Sequence, residues 1–332
     1  FKHFDSNLFD ESQRGLEDRE PKVKLPEEWS GKVVIDGLRY VNFPVTILPG
    51  TEIIMKEKAV LIFNNKVTVV GTSDNKIRIR RESPNSQPWG SVVLRGKGSR
   101  DSIFKHCEVT GGSGYKTPLT EYSGMFSIHN TQGIRIESCT FSNSSLVDDM
   151  VHIVFSEVNI SKSVFTDSYS DALDIDISQV SITDSQFIRS GNDAVDLMNS
   201  QAVISGATFS QSGDKGLSVG ENSQLVLANT VLDGNQIAIQ TKDKSIAYVF
   251  NTEFVNNRTG VDCYKKNWQY GDGGHAFIFK SVFQGNNVAL KSDKKSSIQV
   301  VDTFLGEGKV VENQYKHPRI QIDDLSSSKG IA

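Results

Sequence analysis

Apolar, polar and small positions recur along the chain in a fixed order. The strings FKHCEV (from Phe104), IESCTF (from Ile136), ISKSVF (from Ile160), ITDSQF (from Ile182) and ISGATF (from Ile204) share one pattern. It continues in LANTVL (from Leu227), VFNTEF (from Val249), IFKSVF (from Ile278) and VVDTFL (from Val300). Each string opens on an aliphatic or aromatic residue, holds a small residue three further on, and closes on a bulky apolar one. The closing residues (Val109, Phe141, Phe165, Phe187, Phe209, Leu232, Phe254, Phe283 and Leu305) recur at a step of about 22 residues over most of the chain. A unit this short, rich in Val, Ile, Ser, Thr and Asn and alternating with period two, cannot hold a helix pair. It holds one turn of a parallel β-coil, two or three short strands with bends between them. Such coils hydrogen-bond to one another and stack their apolar residues in columns. The small residues (Cys107, Cys139, Ser163, Ser185, Ala207, Thr230, Thr252, Ser281 and Thr303) then form a tight interior column.

A second strand precedes each string, and its alternation separates an inner from an outer face. In DALDID (Asp171 to Asp176), DAVDLM (Asp193 to Met198) and KGLSVG (Lys215 to Gly220), Leu173, Ile175, Val195, Leu197, Leu217 and Val219 point inward. The fourth position points out and reads Val93, Ser127, His152, Asp174, Asp196, Ser218, Gln240, Asp262 and Lys291 from coil to coil. The sixth lies beside it and reads Arg95, His129, Val154, Asp176, Met198, Gly220, Lys242, Tyr264 and Asp293. Strand-start positions add Asp149, Asp171, Asp193 and Lys215. Adjacent coils lie about 4.8 Å apart, so Asp174 and Asp196 are stacked neighbours. A stack of like charges is costly unless something compensates it. Five aspartates in two coils beside His152, Lys215 and Lys242 are therefore the leading candidate for a functional site. A solvated face, or Asp side chains capping the turns at Asp149, Asp171 and Asp193, is the competing account.

The strings and the segment VTILPGTEIIMKEKAVLIFNNKVTVVGT (Val45 to Thr72) resemble the right-handed parallel β-helix of the pectate-lyase-like superfamily, over roughly residues 45 to 305. The fold class expected is all-β: a single-stranded right-handed parallel β-helix solenoid of about ten or more coils. Residues 1–32 are expected to form an N-terminal cap, 33–306 the β-helix, and 307–332 a C-terminal cap and tail. The resemblance implies a polysaccharide substrate and a secreted or cell-surface location. No signal-like apolar stretch follows Phe1, so any signal peptide lies outside this sequence. A monomer is expected.

Two long insertions, Thr110 to Gly124 and Tyr264 to His275, border the polar face and are expected to wall a groove with Tyr115, Tyr122, Trp268 and Tyr270. An elongated polar groove suits a linear polysaccharide, and three chemistries compete. A lyase needs a base near the proton α to a uronate carboxylate, a cation to neutralise that carboxylate, and often calcium. His152, Lys215 and Lys242, with Asp174 and Asp196, are the catalytic candidates. Arg95, His129, Tyr122, Tyr264, Lys265 and Trp268 are the substrate-binding candidates. Asp171, Asp174, Asp176, Asp193 and Asp196 are the candidate ligands for Ca2+. A glycoside hydrolase would instead use Asp174 and Asp196 as its two carboxylates. The motifs of the β-helix pectin hydrolases are absent, and SGNDAVDL (Ser190 to Leu197) is only faintly similar to one of them. A uronate epimerase shares the lyase's first step, although DALDID lacks the Pro and His of the alginate epimerases. Outside enzymes, an adhesin, surface coat or carbohydrate-binding β-helix remains.

The reading expected is a lyase acting on an acidic bacterial exopolysaccharide, such as a biofilm-matrix or capsule polymer. The segment GDKGLSVGENS (Gly213 to Ser223) has no P-loop spacing, and no HExxH, GxSxG or CxxC motif occurs.

Composition sharpens this picture. The chain has 332 residues and 37% apolar residues, and length alone suggests two domains. A solenoid has a narrow core and a large surface, so one coil stack accounts for the low apolar fraction. Six of the 18 Phe fall in the closing column. With 36 basic and 40 acidic residues, a net of -4, no basic footprint argues for nucleic acid, and no apolar run is long enough for a transmembrane helix. The near-neutral balance averages over an acidic patch and scattered lysines. Three cysteines make neither a disulfide framework nor a zinc signature. Cys107 and Cys139 read as neighbouring buried thiols, with a disulfide as the alternative.

Overall fold

The computed structural model describes residues 26–312 and 319–323. Each coil carries three short strands, one in each of three parallel sheets that run the length of the molecule. Among the described residues the first sheet has 13 strands, the second 11 and the third 12. The first sheet opens with Glu27–Trp29, the second with Lys32–Ile35 and the third with Leu38–Val41. Strand order follows coil order throughout, so every coil pairs only with the coils before and after it. Strands thus begin at Glu27 and end with Lys309–Glu312 and Ile320–Asp323. The rest of the expected caps (residues 1–25, 313–318 and 324–332) lies outside the described residues.

The repeated string builds one corner of the coil. Its first two residues end a strand of the first sheet, its small residue turns the corner, and its bulky residue lies within the second sheet. The residue before each small one takes a left-handed conformation, as at Lys162, Asp184, Asn229, Asn251, Lys280 and Asp302, with Gly at 206. The small residue then shares its hydroxyl along the stack: Ser163 Oγ accepts from Cys139 N at 3.2 Å, and Ser185 Oγ from Ser163 N at 3.1 Å. A second ladder, Ser156, Ser178, Ser200, Ser223 and Ser245, turns the corner between third and first sheets in the same way. Asn235, Asn257 and Asn286 do so between second and third, each side-chain oxygen taking the backbone N–H one coil earlier. Backbone donors at the bends are thereby satisfied inside the stack, where water cannot reach them.

The core is one continuous column of apolar side chains. Phe141, Phe165, Phe187 and Phe209 stack with ring centroids 5.1, 4.6 and 4.9 Å apart, and Phe254 lies 4.1 Å from Phe283. Each ring is fully buried and contributes about 1.5–3 kcal/mol through its burial. Cys107 and Cys139 are free buried thiols with their sulfurs 3.0 Å apart, as the interior column implies.

The Thr110–Gly124 insertion carries a two-stranded antiparallel hairpin, Tyr115–Lys116 with Glu121–Tyr122. It folds over the outer face of the third sheet rather than standing beside it. Tyr122, with Tyr115, packs on Val60, Ile62 and Val93. The outward column of this sheet, Tyr40, Ile62, Val93, Ser127, His152, Asp174, Asp196, Ser218, Gln240, Asp262 and Lys291, therefore changes character along its length. Val93 points outward yet is 0% exposed, and Tyr122 is covered rather than displayed.

Candidate functional site

Beyond the hairpin the third sheet becomes polar. Pairing of Asp149–Val154 with Asp171–Asp176 sets His152 beside Asp174, and the next pairing sets Asp174 beside Asp196. His152 is the hub. Its Nδ1 lies 2.7 Å from Ser123 Oγ, and its Nε2 lies 3.3 Å from Asp176 Oδ2 and 3.6 Å from Asp174 Oδ2. Asp149 Oδ2 approaches Nδ1 at 3.9 Å. Burial raises Asp149 to about 6, against the pull of His152. Burial, followed by the charges of Asp149, Asp176 and Asp196, pushes Asp174 up to about 9, so this carboxyl keeps its proton at neutral pH.

A chain of contacts leads from the hub to the hairpin. The His152 and His129 rings are 5.3 Å apart, and His129 lies 5.2 Å from Tyr122. Tyr122 OH accepts from Arg95 Nη1 at 2.9 Å, while Arg95 Nε donates to Asn64 Oδ1 at 2.7 Å. Burial and the adjacent His152 lower His129 to about 4, which leaves it uncharged at neutral pH. Among the described residues no carboxylate lies within ion-pair distance of Arg95. Its guanidinium faces a cavity of about 460 Å³ lined also by Lys97, Asn64, Asn130, Tyr122 and His129. A larger cavity beside Arg81 lies on another edge of the coil and touches none of these residues.

On the other side of Asp174, oxygens of Asp171, Asp193 and Asp196 lie within 4.8 Å of one another. Asp171 Oδ1 accepts from Asn192 Nδ2 at 2.7 Å and from Asp193 N at 2.8 Å. Burial lifts Asp171 to about 7 and Asp193 to about 6, the latter despite Lys215. Asp196 Oδ1 is buried with no hydrogen-bond partner.

The lysines divide. Lys215 pairs with Asp193 at 3.2 Å and with Asp214. Burial alone would lower its pKa; the two carboxylates raise it instead. Its charge is matched, which removes it as a free cation for substrate. Lys242 is only 5% exposed and lies across Gly220, with Nζ 3.2 Å from Ser218 Oγ. It thus reaches back one coil toward Asp196.

Tyr264, Lys265 and Trp268 stand apart. Tyr264 ends the strand Thr259–Tyr264, which Lys265 and Trp268 follow and which is the fourth from Asp171–Asp176, roughly 19 Å along the sheet. Burial raises the Tyr264 phenol, and Lys265 N–H donates to Asp293 Oδ2 at 3.0 Å. Trp268 opens a short 3-10 turn capped by Asn267 and is 80% exposed. The Asp243 carboxylate anchors this loop by accepting from Lys266 N and Asn267 N.

Residues 149–305 match the family described as Right handed beta helix region, which includes every strand of the acidic cluster. The chain carries a right-handed parallel β-helix. No curated protein matches it. Among solved structures it is similar to the Dettilon tailspike protein, at 11% identity and TM-score 0.52, covering 89% of this chain and 60% of that one. It is also similar to a periplasmic alginate epimerase (12% identity, TM-score 0.50, 86% of this chain and 78% of that one). An alginate lyase from Paenibacillus sp. str. FPU-7 shows 12% identity and a TM-score of 0.49 over 82% of this chain and 93% of that one. At these identities the likeness is one of fold.

On this β-helix the structure adds Ser123, Asn64, Lys97, Asn192 and Asp214 to the residues expected from sequence. Ser123 sits at the end of the long insertion, one residue before its strand, and its spacing gave no sign of a partner. Asn64 and Lys97 lie at coil corners, where outward columns cannot be followed by alternation.

Proposed function

We propose that the chain is a polysaccharide lyase that cleaves an acidic, uronate-containing bacterial exopolysaccharide by β-elimination on the third sheet. One observation carries the reading: an unmatched Arg95, facing a cavity, is joined through Tyr122 and His129 to a histidine–carboxyl cluster whose burial favours a protonated Asp174. The uronate carboxylate binds Arg95 and Lys97, which stabilises the charge that develops when its α-proton leaves. His152 takes that proton from C5. The released electron pair forms the C4–C5 double bond, the C4–O4 bond breaks, and O4 takes the proton of Asp174. His152 then returns its proton to Asp174, only 3.6 Å away, and the cycle closes. Ser123 and Asp176 fix the imidazole by contacts at its two nitrogens. Secretion or display at the cell surface goes with such a substrate.

The Asp171, Asp193 and Asp196 oxygens suit a hard cation, and the buried unpartnered Asp196 Oδ1 fits the same account. Calcium held there would neutralise the acidic floor on which an anionic polymer lies.

Glycoside hydrolysis is the second reading, favoured by the same protonated Asp174 beside other carboxylates. One assay separates the chemistries. The protein is incubated with a panel of acidic polysaccharides while ultraviolet absorbance of unsaturated ends and total reducing ends are both followed. A lyase raises both together, a hydrolase raises reducing ends alone, and an epimerase raises neither while altering uronate stereochemistry. Absence of unsaturated product from every uronate polymer overturns the lyase reading.

A further inference from the structure

The outward column of the third sheet has two halves. At Ile62 and Val93 it is apolar and covered by the hairpin, and from Ser127 to Lys291 it is polar. The polar run spans eight strands, roughly 34 Å. Tyr122 seals the junction on both sides: its ring sits on Val60, Ile62 and Val93, and its hydroxyl holds Arg95. Tyr115 stacks against it with ring centroids 6.3 Å apart, and the hairpin is tied by Lys116 to Glu121 at 2.8 Å. The polar face is therefore closed one strand beyond His129; away from the hairpin it is partly exposed at Asp174, Asp176 and Asp196, and beyond them Lys242 covers Ser218. His152 lies two strands from Arg95, roughly 10 Å.

We infer that the hairpin is an end stop, so that the protein acts from a chain end and releases short fragments. This rests on the polysaccharide-lyase reading and adds to it the mode of attack. A polymer lying along the floor cannot continue past Tyr122. The space between this wall and His152 takes only a mono- or disaccharide, while the rest of the chain extends past the partly exposed Asp174 and Asp196 toward Tyr264 and Lys291. Arg95 and Lys97 at the closed end hold the carboxylate of that short fragment.

The experiment uses the full chain and a uronate polymer prepared in several lengths. Solution viscosity and product size are followed together. The end stop predicts mono- or disaccharide products from the first time points while viscosity falls slowly, and an initial rate proportional to the concentration of chain ends. Early appearance of medium-length oligomers with a steep viscosity drop overturns it and leaves the lyase reading standing. Binding is measured in parallel by calorimetry with the Asp174→Asn protein. The end stop predicts a fixed number of bound proteins per polymer chain whatever its length. A number that grows with length overturns it, with or without cleavage. Absence of both cleavage and binding overturns the lyase reading and the end stop together.

Discussion

Replacing Asp174 by Asn tests the charge state on which the proposed chemistry depends. The amide keeps the carboxyl's shape and its neutral form, so the third sheet keeps its packing while losing one titration. In the folded protein Asp174 holds its proton up to about 9, and in the unfolded chain it releases it near 4. Between those limits the native state binds one proton more than the unfolded state, so the wild-type protein loses stability as pH rises. The slope from this group is about 1.4 kcal/mol per pH unit. Between about pH 5 and pH 8 that amounts to roughly 4 kcal/mol, a ceiling because the side chain retains 22% of its exposure to water. Melting temperatures of both proteins are measured across this range in chelator. The variant should gain on wild type as pH rises, by several degrees at pH 8, while its turnover falls about 10²-fold or more for want of the proton donor. Parallel melting curves would show that Asp174 ionises in the fold as it does in water, and the acid role would be lost with it.

Other expectations follow from the same residues. Calcium should raise the melting temperature relative to chelator, and Asp196→Ala should abolish the difference; an equal response in both proteins would detach the effect from this cluster. Arg95→Ala should raise KM about 10–100-fold, as expected for loss of a charged hydrogen bond of about 1.5–3 kcal/mol, read from initial rates on a uronate polymer. Phe187→Ala opens the ring stack between Phe165 and Phe209 and should cost about 3–5 kcal/mol in urea unfolding. The Cys139 contact and burial raise the Cys107 thiol, burial raises Cys263, and all three cysteines are buried, so a thiol reagent should find them inert in the native protein and reactive in denaturant.

Much of this architecture was legible in the sequence. Alternation with period two and a near-constant coil length placed His152 beside Asp174 and Asp174 beside Asp196 in the register observed, because parallel stacking turns a spacing into a neighbour. The hairpin was not legible in this way. Val93 reads as outward and is outward, but what covers it depends on where a loop folds, and no periodicity governs a loop. The lysines were also beyond reach: alternation puts Lys215 at a strand start and Lys242 in an outward column, but does not tell that Asp193 and the turn residue Asp214 match the charge of the first while the second lies buried across Gly220. The protonation of Asp174 follows from burial by neighbouring coils and loops, a property of the assembled face.

The side-chain ladders at the three corners bear on how such a molecule can change over time. Each ladder passes one hydrogen bond from a coil to its successor, and each coil meets only the two beside it. A complete turn can therefore be gained or lost as a unit, with the cut ends rejoined through the same serine, hydroxyl and asparagine positions. The turns carrying Ser218 and Gln240 are such units, distant from His152 and Arg95. Under the proposed function, the polymer length recognised and the bond broken would be separately heritable traits, one written in the count of turns and the other in two of them.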